Sequence, residues 1–396
     1  MTANIHDISF NLIHEHSCNF PYSVIIIFCY STCSYSKVFR TSANALIKEI
    51  QEKVEANNFS DIKSVENAKI VIIGAGVSGI AAASKLFENG FKEVKILEAG
   101  NRIGGRIFTT QFGGYEVDLG AQWVHGENGN AVFDLAWPLN LLDKPDGDAH
   151  DLYYFDSNGT RLNNETEEQL RNFYFDYLFE ESDTGFESYG EYVKDAFNRK
   201  FGNALTIYKD RKKYLNSYKL NRLAEEGADS WFEISAQPIE LYTDYPGTEN
   251  VNWKTRGYST LLDYLIKRYP NPQEELPVVK NTLLNSEVVK INYLNRNEGL
   301  PILITTKNRT TYEADHVIMT ASIGVLKAKH SSLFIPRLPQ QITETIKGFA
   351  FGRVGKVYLL FKKPFWQLGN KKNLQFSFLW SNTERRSIEK SEKNGY

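Results

Sequence analysis

Gly74-Ala75-Gly76-Val77-Ser78-Gly79 stands directly after the apolar run Lys69–Ile73, and Glu98 closes a second apolar run 24 residues beyond Gly74. Strand, glycine loop, helix, strand and acid in that order make the dinucleotide-binding fingerprint. The first glycine permits a tight turn, the second lets a pyrophosphate approach the backbone, and the third lets helix and strand pack closely. Unpaired N–H groups around Val77 and Ser78, at the positive end of the helix dipole, suit phosphate oxygens. A carboxylate at Glu98 suits ribose hydroxyls. With 27 glycines in 396 residues, such a triplet arises by chance about 0.1 times per chain, so its flanks decide the matter. Ile80, Ala83, Leu86 and Phe87 recur at helical spacing, and Gly90 occupies the C′ position.

The next block is Glu98-Ala99-Gly100-Asn101-Arg102-Ile103-Gly104-Gly105-Arg106, or E-A-x-x-R-x-G-G-R. Two guanidinium groups neutralise a pyrophosphate, and the glycines keep Cβ atoms clear of it. Nicotinamide enzymes need no such block, whereas an extended flavin dinucleotide gains from it. On these residues the chain resembles the flavin-containing amine oxidase superfamily, which includes monoamine, polyamine and L-amino-acid oxidases. The resemblance covers residues 68–145 and 250–366 well and the stretch between them loosely. It implies bound FAD, with Arg102 and Arg106 near the adenosine ribose and pyrophosphate and the backbone of Val288 passing the adenine. A surface salt bridge is the plainer role for Arg106.

Asp118-Leu119-Gly120-Ala121-Gln122-Trp123-Val124-His125-Gly126 is the second informative block. By the resemblance it lies against the flavin ring, and small residues at Gly120 and Ala121 let its backbone come close. Trp123-Val124-His125-Gly126 looks like the version in animal polyamine and spermine oxidases, where the matching histidine faces the substrate amine. A neutral imidazole there accepts an ammonium proton or hydrogen-bonds the amine; a histidine capping the turn at Gly126 is the alternative. In Gly352-Arg353-Val354-Gly355-Lys356-Val357-Tyr358-Leu359-Leu360-Phe361, Lys356 begins an apolar strand where an inward ammonium is costly without a purpose. The resemblance implies one, a water bridge to flavin N5 that assists reaction with dioxygen. A solvent-facing lysine at a strand end is the alternative.

These residues need a frame. Hairpins are expected at Ile107–Phe112 with Tyr115–Leu119, around Gly113-Gly114, and at Leu152–Phe155 with Thr160–Leu162. Helices are expected over Asn44–Ala56, Glu165–Glu181, Tyr189–Phe201 and Lys212–Glu226, with one more following Arg256–Leu261 and running to Arg268, and strands over Glu287–Tyr293, Pro301–Thr306, Thr310–Ala314 and His316–Thr320. The fold class is α/β: a Rossmann-like FAD-binding domain built from discontinuous segments, with an α+β substrate domain. The expected divisions are an N-terminal extension 1–65, flavin-domain segments 66–146 and 251–327, and substrate-domain segments 147–250 and 328–396. The family continues past the Pro364-Phe365-Trp366 segment with a further flavin-binding block, so the polar ending 389–395 implies that the C-terminal part of the fold is missing and that flavin is held weakly.

A balance of 46 basic and 48 acidic residues provides no basic field for nucleic acid. Cys18, Cys29 and Cys33 all precede the flavin segment. The catalytic body thus has no thiol for a covalent flavin link, and the FAD is expected to be noncovalent. Val24–Cys29 is too short to span a bilayer and resembles a signal-peptide core, but residues 1–20 contain no Lys or Arg. Together with sequons at Asn58, Asn158, Asn164 and Asn308, this leaves cytoplasmic and secreted locations both open. His14, His16 and Cys18 match no standard zinc spacing, and no metal is expected.

The expected reaction is oxidation of a polyamine, spermine or an acetylated polyamine, by FAD and dioxygen, giving an aldehyde, an amine and hydrogen peroxide. Glu127, Glu225, Glu226 and Glu233 are acids able to face a remote ammonium. An amino-acid oxidase or desaturase is the alternative enzyme; the former needs an arginine for the substrate carboxylate, with Arg222 and Arg256 as candidates. A noncatalytic product is the alternative from another class.

Overall fold

The computed structural model describes residues 23–26, 67–144, 152–175, 178, 185–204, 207, 209–236, 245–295, 299–352, 354–362, 375–381 and 383–387. In chain order the elements are β1 (Ser23–Ile26), β2 (Ile70–Ile73), α1 (Val77–Glu88), β3 (Val94–Leu97), β4 (Thr109–Phe112), β5 (Tyr115–Asp118), α2 (Ala131–Ala136), β6 (Leu142–Asp143), β7 (Leu152–Asp156), α3 (Asn164–Phe175), α4 (Tyr189–Phe201) and α5 (Arg211–Glu226). They continue as β8 (Asn252–Trp253), α6 (Thr260–Leu265), β9 (Thr282–Leu283), β10 (Val288–Asn292), β11 (Ile302–Thr306), β12 (Thr311–Ala314), β13 (His316–Met319), α7 (Ile323–Leu333), β14 (Phe334–Ile335), α8 (Gln340–Gly348) and β15 (Gln375–Leu379).

The chain divides into two compact units, one of residues 1–144 and 243–349, the other of 145–242 and 350–396. The first is built on a five-stranded sheet ordered β1-β13-β2-β3-β9, parallel throughout. Every residue of β2 and β13 is buried, as expected of parallel strands covered on both faces, and this is why both read as unbroken apolar runs. Helix α1 buries Ile80, Ala83 and Leu86 against the sheet. A second, four-stranded sheet, β12-β11-β10-β14, shares a core with the other face through Val71, Ile73, Ile304 and Val317.

Two expectations about this unit need correction. Ser23–Ile26, inside the expected extension, pairs in parallel with His316–Met319 and forms the sheet's outer strand. The apolar stretch fits a strand there as well as it fits a signal core. Residues 328–349, expected with the other unit, belong here, because Phe334 pairs with Ile291 on β10 while Leu338, Ile342 and Ile346 fill the core beneath. The expected helix Asn44–Ala56, the three cysteines, His14 and His16 lie outside the described residues.

In the second unit α3, α4 and α5 enclose an aromatic core of Tyr154, Phe173, Tyr192, Phe197 and Tyr218. Phe173 meets Phe197 edge-on at 5.4 Å, and Tyr174 stacks on Tyr218 at 5.5 Å, geometries that add to simple burial. Strand β7 pairs in parallel with β15. The hairpin expected at 152–162 is reduced on its return arm to one bridge, Phe155 to Arg161; Tyr154 N, the donor that would extend the pairing, goes instead to the buried carboxylate of Glu167 at 3.0 Å, which Arg161 also holds at 2.6 Å. Beyond β15, Ser381 and Glu384 form a reciprocal capping box, Ser381 N donating to Glu384 Oε2 at 2.7 Å and Glu384 N to Ser381 Oγ at 3.2 Å. Among the described residues no helix is long and apolar enough to cross a membrane, and no cluster of three or more His, Cys, Asp or Glu residues is arranged to hold a metal.

Candidate functional site

The glycine loop lies where β2 passes into α1, at the carboxyl ends of the parallel strands, the usual ligand position in such sheets. Each glycine has a separate reason. Gly74 has φ +104°, a region that L side chains rarely adopt. At Gly79 an added Cβ would sit 1.9 Å from the Gly74 carbonyl oxygen, so helix and strand could not close. At Gly76, the N-cap of α1, an added Cβ would meet nothing within 4 Å. Of the three, only this glycine opens onto free space. The first turn of α1, at Val77 and Ser78, is the positive end of the helix dipole.

Glu98, at the end of β3, reaches back to this turn. Its Oε2 accepts from Ala75 N at 2.7 Å and its Oε1 from Gly100 N at 2.7 Å. A carboxylate offers about four lone-pair sites, so each oxygen retains capacity for a ribose hydroxyl. Ala99, next to it, is exposed. The diglycine folds onto the same turn: Gly104 N donates to Ala75 O at 2.8 Å, and an added Cβ at Gly105 would lie 3.2 Å from Gly76 Cα. That contact sets the exposed Arg106 one residue from the mouth of the turn.

Arg102 is held by its own loop. Its guanidinium donates to the carbonyls of Ile103 and Ile107 at 3.1 Å and of Gly105 at 2.7 Å, and it lies 4.3 Å from the centre of the Phe108 ring. It braces its own loop, because three carbonyls in reach satisfy the planar donor fork. Gly120 also has a nearer reason than the flavin ring, since an added Cβ would fall 1.8 Å from Arg106 O. Ala121 N donates to that same oxygen at 3.0 Å. Gln122 is half-buried. Val288 is buried at the start of β10, two residues after Ser286, whose N–H donates to Glu98 O at 2.7 Å. The chain around Val288 thus runs beside Glu98.

Around His125 the backbone alternates. Val124 is buried and exchanges hydrogen bonds with Val251 at 3.0 and 2.9 Å, so Trp123 and His125 both point outward. Trp123 is 42% exposed, and the two rings meet edge-on at 6.4 Å. Lys356 lies in the second unit, half-buried. The apolar strand expected to start there is not formed: residues 354–361 have no strand structure, and Val357 and Leu359 are 86% and 71% exposed.

Several supporting residues were not anticipated from the sequence. Thr320 Oγ1 donates to Ile73 O at 2.9 Å and Gly74 O at 3.1 Å, tying the end of β13 to the glycine turn. The signal available was its place at the carboxyl end of a buried strand. Asp118 accepts from Tyr258 N at 3.0 Å and from the Thr109 hydroxyl, linking the β4–β5 hairpin to Arg256-Gly257-Tyr258-Ser259. Three of the four acids considered for substrate are engaged elsewhere. Glu127 pairs with Lys144 at 2.7 Å, and Glu225 and Glu226 pair with Arg222 at 3.3 and 2.8 Å. Arg222, paired with Glu225 and Glu226, also lies 4.8 Å from the Tyr189 ring and is not presented freely to a carboxylate; Arg256 is exposed, 4.7 Å from the ring of Tyr269.

A turn of this form, with a sugar-facing acid and open space above its second glycine, fits an adenine dinucleotide. A family model described as flavin containing amine oxidoreductase matches residues 77–393, and the chain belongs to that family. Its cofactor is therefore FAD. Similar curated proteins include "Corticosteroid-binding protein" of Candida albicans, 30% identical over 76% of this chain and 62% of its own length. "Polyamine oxidase 6" of Oryza sativa is 26% identical over 80% and 64%. "Peroxisomal N(1)-acetyl-spermine/spermidine oxidase" of Bos taurus is 26% identical over 76% and 62%. The chain thus spans a little under two thirds of the length of these relatives.

Proposed function

We propose that the chain oxidises polyamines as an FAD-dependent amine oxidase. The chemistry the bound flavin supplies is acceptance of a hydride from the carbon beside an amine nitrogen, with dioxygen as final oxidant, so that amine, water and dioxygen become an aldehyde, a smaller amine and hydrogen peroxide. The protein's share is positioning. Gly76 and the α1 N-terminus hold the pyrophosphate, Glu98 the ribose, and Arg106 adds charge at the mouth of the turn. His125, in its neutral form, takes the ammonium proton so that the reacting nitrogen carries a lone pair. Lys356 assists the reaction with dioxygen. The observation that carries the reading is the Trp123–Gly126 turn, with both rings outward, in a chain with several relatives named for polyamine, acetyl-spermine or spermidine oxidation.

The test is to purify the chain, titrate it with FAD, and assay peroxide with FAD kept in excess and with spermine, N1-acetylspermine, leucine and phenylalanine. Saturable flavin binding and peroxide from the polyamines alone are expected. Peroxide from leucine or phenylalanine alone would overturn the substrate class, and a protein that takes up no FAD the whole reading. The 30% identical relative named for corticosteroid binding favours a second reading, a binding protein without turnover. Saturable steroid binding with no peroxide from any amine would support it.

A further inference from the structure

Glu127 follows the Trp123–Gly126 turn and takes no part in the dinucleotide site. Its Oε2 accepts from Lys144 Nζ at 2.7 Å, and its Oε1 from Thr248 N at 2.8 Å, partners 17 and 121 positions away in the chain. Lys144 is the last residue of the first unit before the chain leaves it, and the chain re-enters that unit at Thr243. One carboxylate therefore joins the departing and the returning segments to the turn that carries His125.

The main chain is braced in the same direction. Glu127 N donates to Pro246 O at 2.9 Å and Gly126 N to Thr248 O at 3.1 Å. Asn130, while capping α2, donates from Nδ2 to His125 O at 2.7 Å. Two glycines clear the space. Gly247 has φ +112°, and an added Cβ would lie 2.5 Å from Glu127 Cγ; Gly126 has φ +72°, and an added Cβ would lie 2.4 Å from Tyr245 Cβ. Lys144 in turn rests 5.0 Å from the centre of the Trp137 ring. The hydrogen bonds from Lys144 and from Thr248 N hold the Glu127 carboxyl down to about 2, so the clamp stays charged throughout the working pH range.

We propose that Glu127 is a positioning residue for the amine site, fixing the main chain on which His125 stands through its joint hold on Lys144 and Thr248. It acts through His125 and touches no substrate. The inference rests on the amine oxidase reading above. It also explains why this acid, which looks like a partner for an ammonium, is not offered to one.

The experiment compares the full chain with Glu127→Gln, Lys144→Met and the double variant. Gln keeps the size and the acceptor for Thr248 N but cannot accept from Lys144. Misplacing a catalytic group by about 1 Å costs up to about a hundredfold in rate, so each single variant is expected to lose about tenfold or more in kcat with KM held within about twofold. The double variant should lose no more than the worse single, because both remove one contact. Hydrogen exchange at residues 124–127 should rise in both singles while FAD affinity stays unchanged. A lowered Tm with unchanged kcat, or losses that multiply in the double variant, would overturn the proposal. Should the unsubstituted chain oxidise no amine, the functional reading fails by itself; exchange then decides, and unaltered exchange at 124–127 overturns the clamp.

Discussion

Ala substituted at Gly76 and at Gly79 should give opposite phenotypes, although the two glycines stand three residues apart. At Gly79 the new methyl would sit 1.9 Å from Gly74 O, far inside the ~3.5 Å optimum for such a pair. Overpacking costs about 1–3 kcal/mol, and a backbone oxygen cannot step aside as a side chain does, so the upper end applies. Moving that carbonyl also loosens its bond from Thr320 Oγ1, now 3.1 Å, for about 1 kcal/mol more. Ala's better helix propensity returns about 1 kcal/mol. The net loss is about 3 kcal/mol, or roughly 6–12 °C in Tm for a unit of this size. At Gly76 the methyl meets nothing within 4 Å and φ is an ordinary −72°, so stability should fall by no more than about 1 kcal/mol as a poorer N-cap. On the proposed reading that methyl nevertheless stands where the pyrophosphate would approach. Losing one hydrogen bond to a charged group costs about 1.5–3 kcal/mol, or about tenfold to a hundredfold in Kd. Differential scanning fluorimetry and calorimetric titration with FAD separate the two. A Gly76→Ala protein that folds and binds FAD as tightly as the unsubstituted chain would refute the placement of the dinucleotide.

Thr320→Val keeps the shape and removes both hydroxyl contacts to the glycine turn; a loss of about 1 kcal/mol and weaker FAD binding are expected, with Thr320→Ser restoring both, and failure of Ser to rescue would count against the contact. Glu167→Ala should cost the second unit about 2 kcal/mol in urea denaturation, mainly because Tyr154 N, bonded to Glu167 at 3.0 Å, is left buried without an acceptor; Arg161, 43% exposed, adds little. Glu127, held at about 2 against an ordinary 4.5, contributes stability that is complete above about 4.5 and is lost as pH falls toward 2. Denaturation midpoints of Glu127→Gln should therefore fall less steeply across that window than those of the unsubstituted chain, and equal slopes would contradict the ion pair. Removing residues 1–35 takes β1 off the sheet; faster hydrogen exchange across His316–Met319 is expected, and unchanged protection would show that the edge does not depend on it.

Whatever is encoded locally was legible. The glycine loop, α1, the β4–β5 hairpin, α4 and α5 declare themselves through periodicity and turn residues within a few positions, and their observed bounds match the expected ones closely. Partners far along the chain were not legible. Leu152–Phe155 reads as half a hairpin because Asn158-Gly159 is a good turn, yet its strand partner is β15, over two hundred residues later. Val357–Phe361 reads as a strand from composition, but a strand needs a ladder, and composition does not supply one. The charge of Arg102 is visible in the sequence, but the carbonyls that take its N–H groups come together only when the loop is folded.

The acids of the first unit show a common cause. Glu98 takes the N–H of Ala75, Asp118 that of Tyr258, Glu127 that of Thr248, and Asp315 that of Lys69 at 2.9 Å. In each case a carboxylate on one segment accepts from the backbone of another, across as many as 246 positions. A unit assembled from separated stretches of chain has many such seams, where the loops lack a regular ladder to satisfy their N–H groups. Charge-assisted bonds to carboxylates are about twice as strong as neutral ones, and each oxygen accepts from more than one direction. In the sequence these acids are indistinguishable from carboxylates meant for a cationic substrate. Sorting them requires the fold, and once sorted, Glu127, Glu225 and Glu226 leave the set of ammonium partners while the exposed Glu233 of the second unit stays in it.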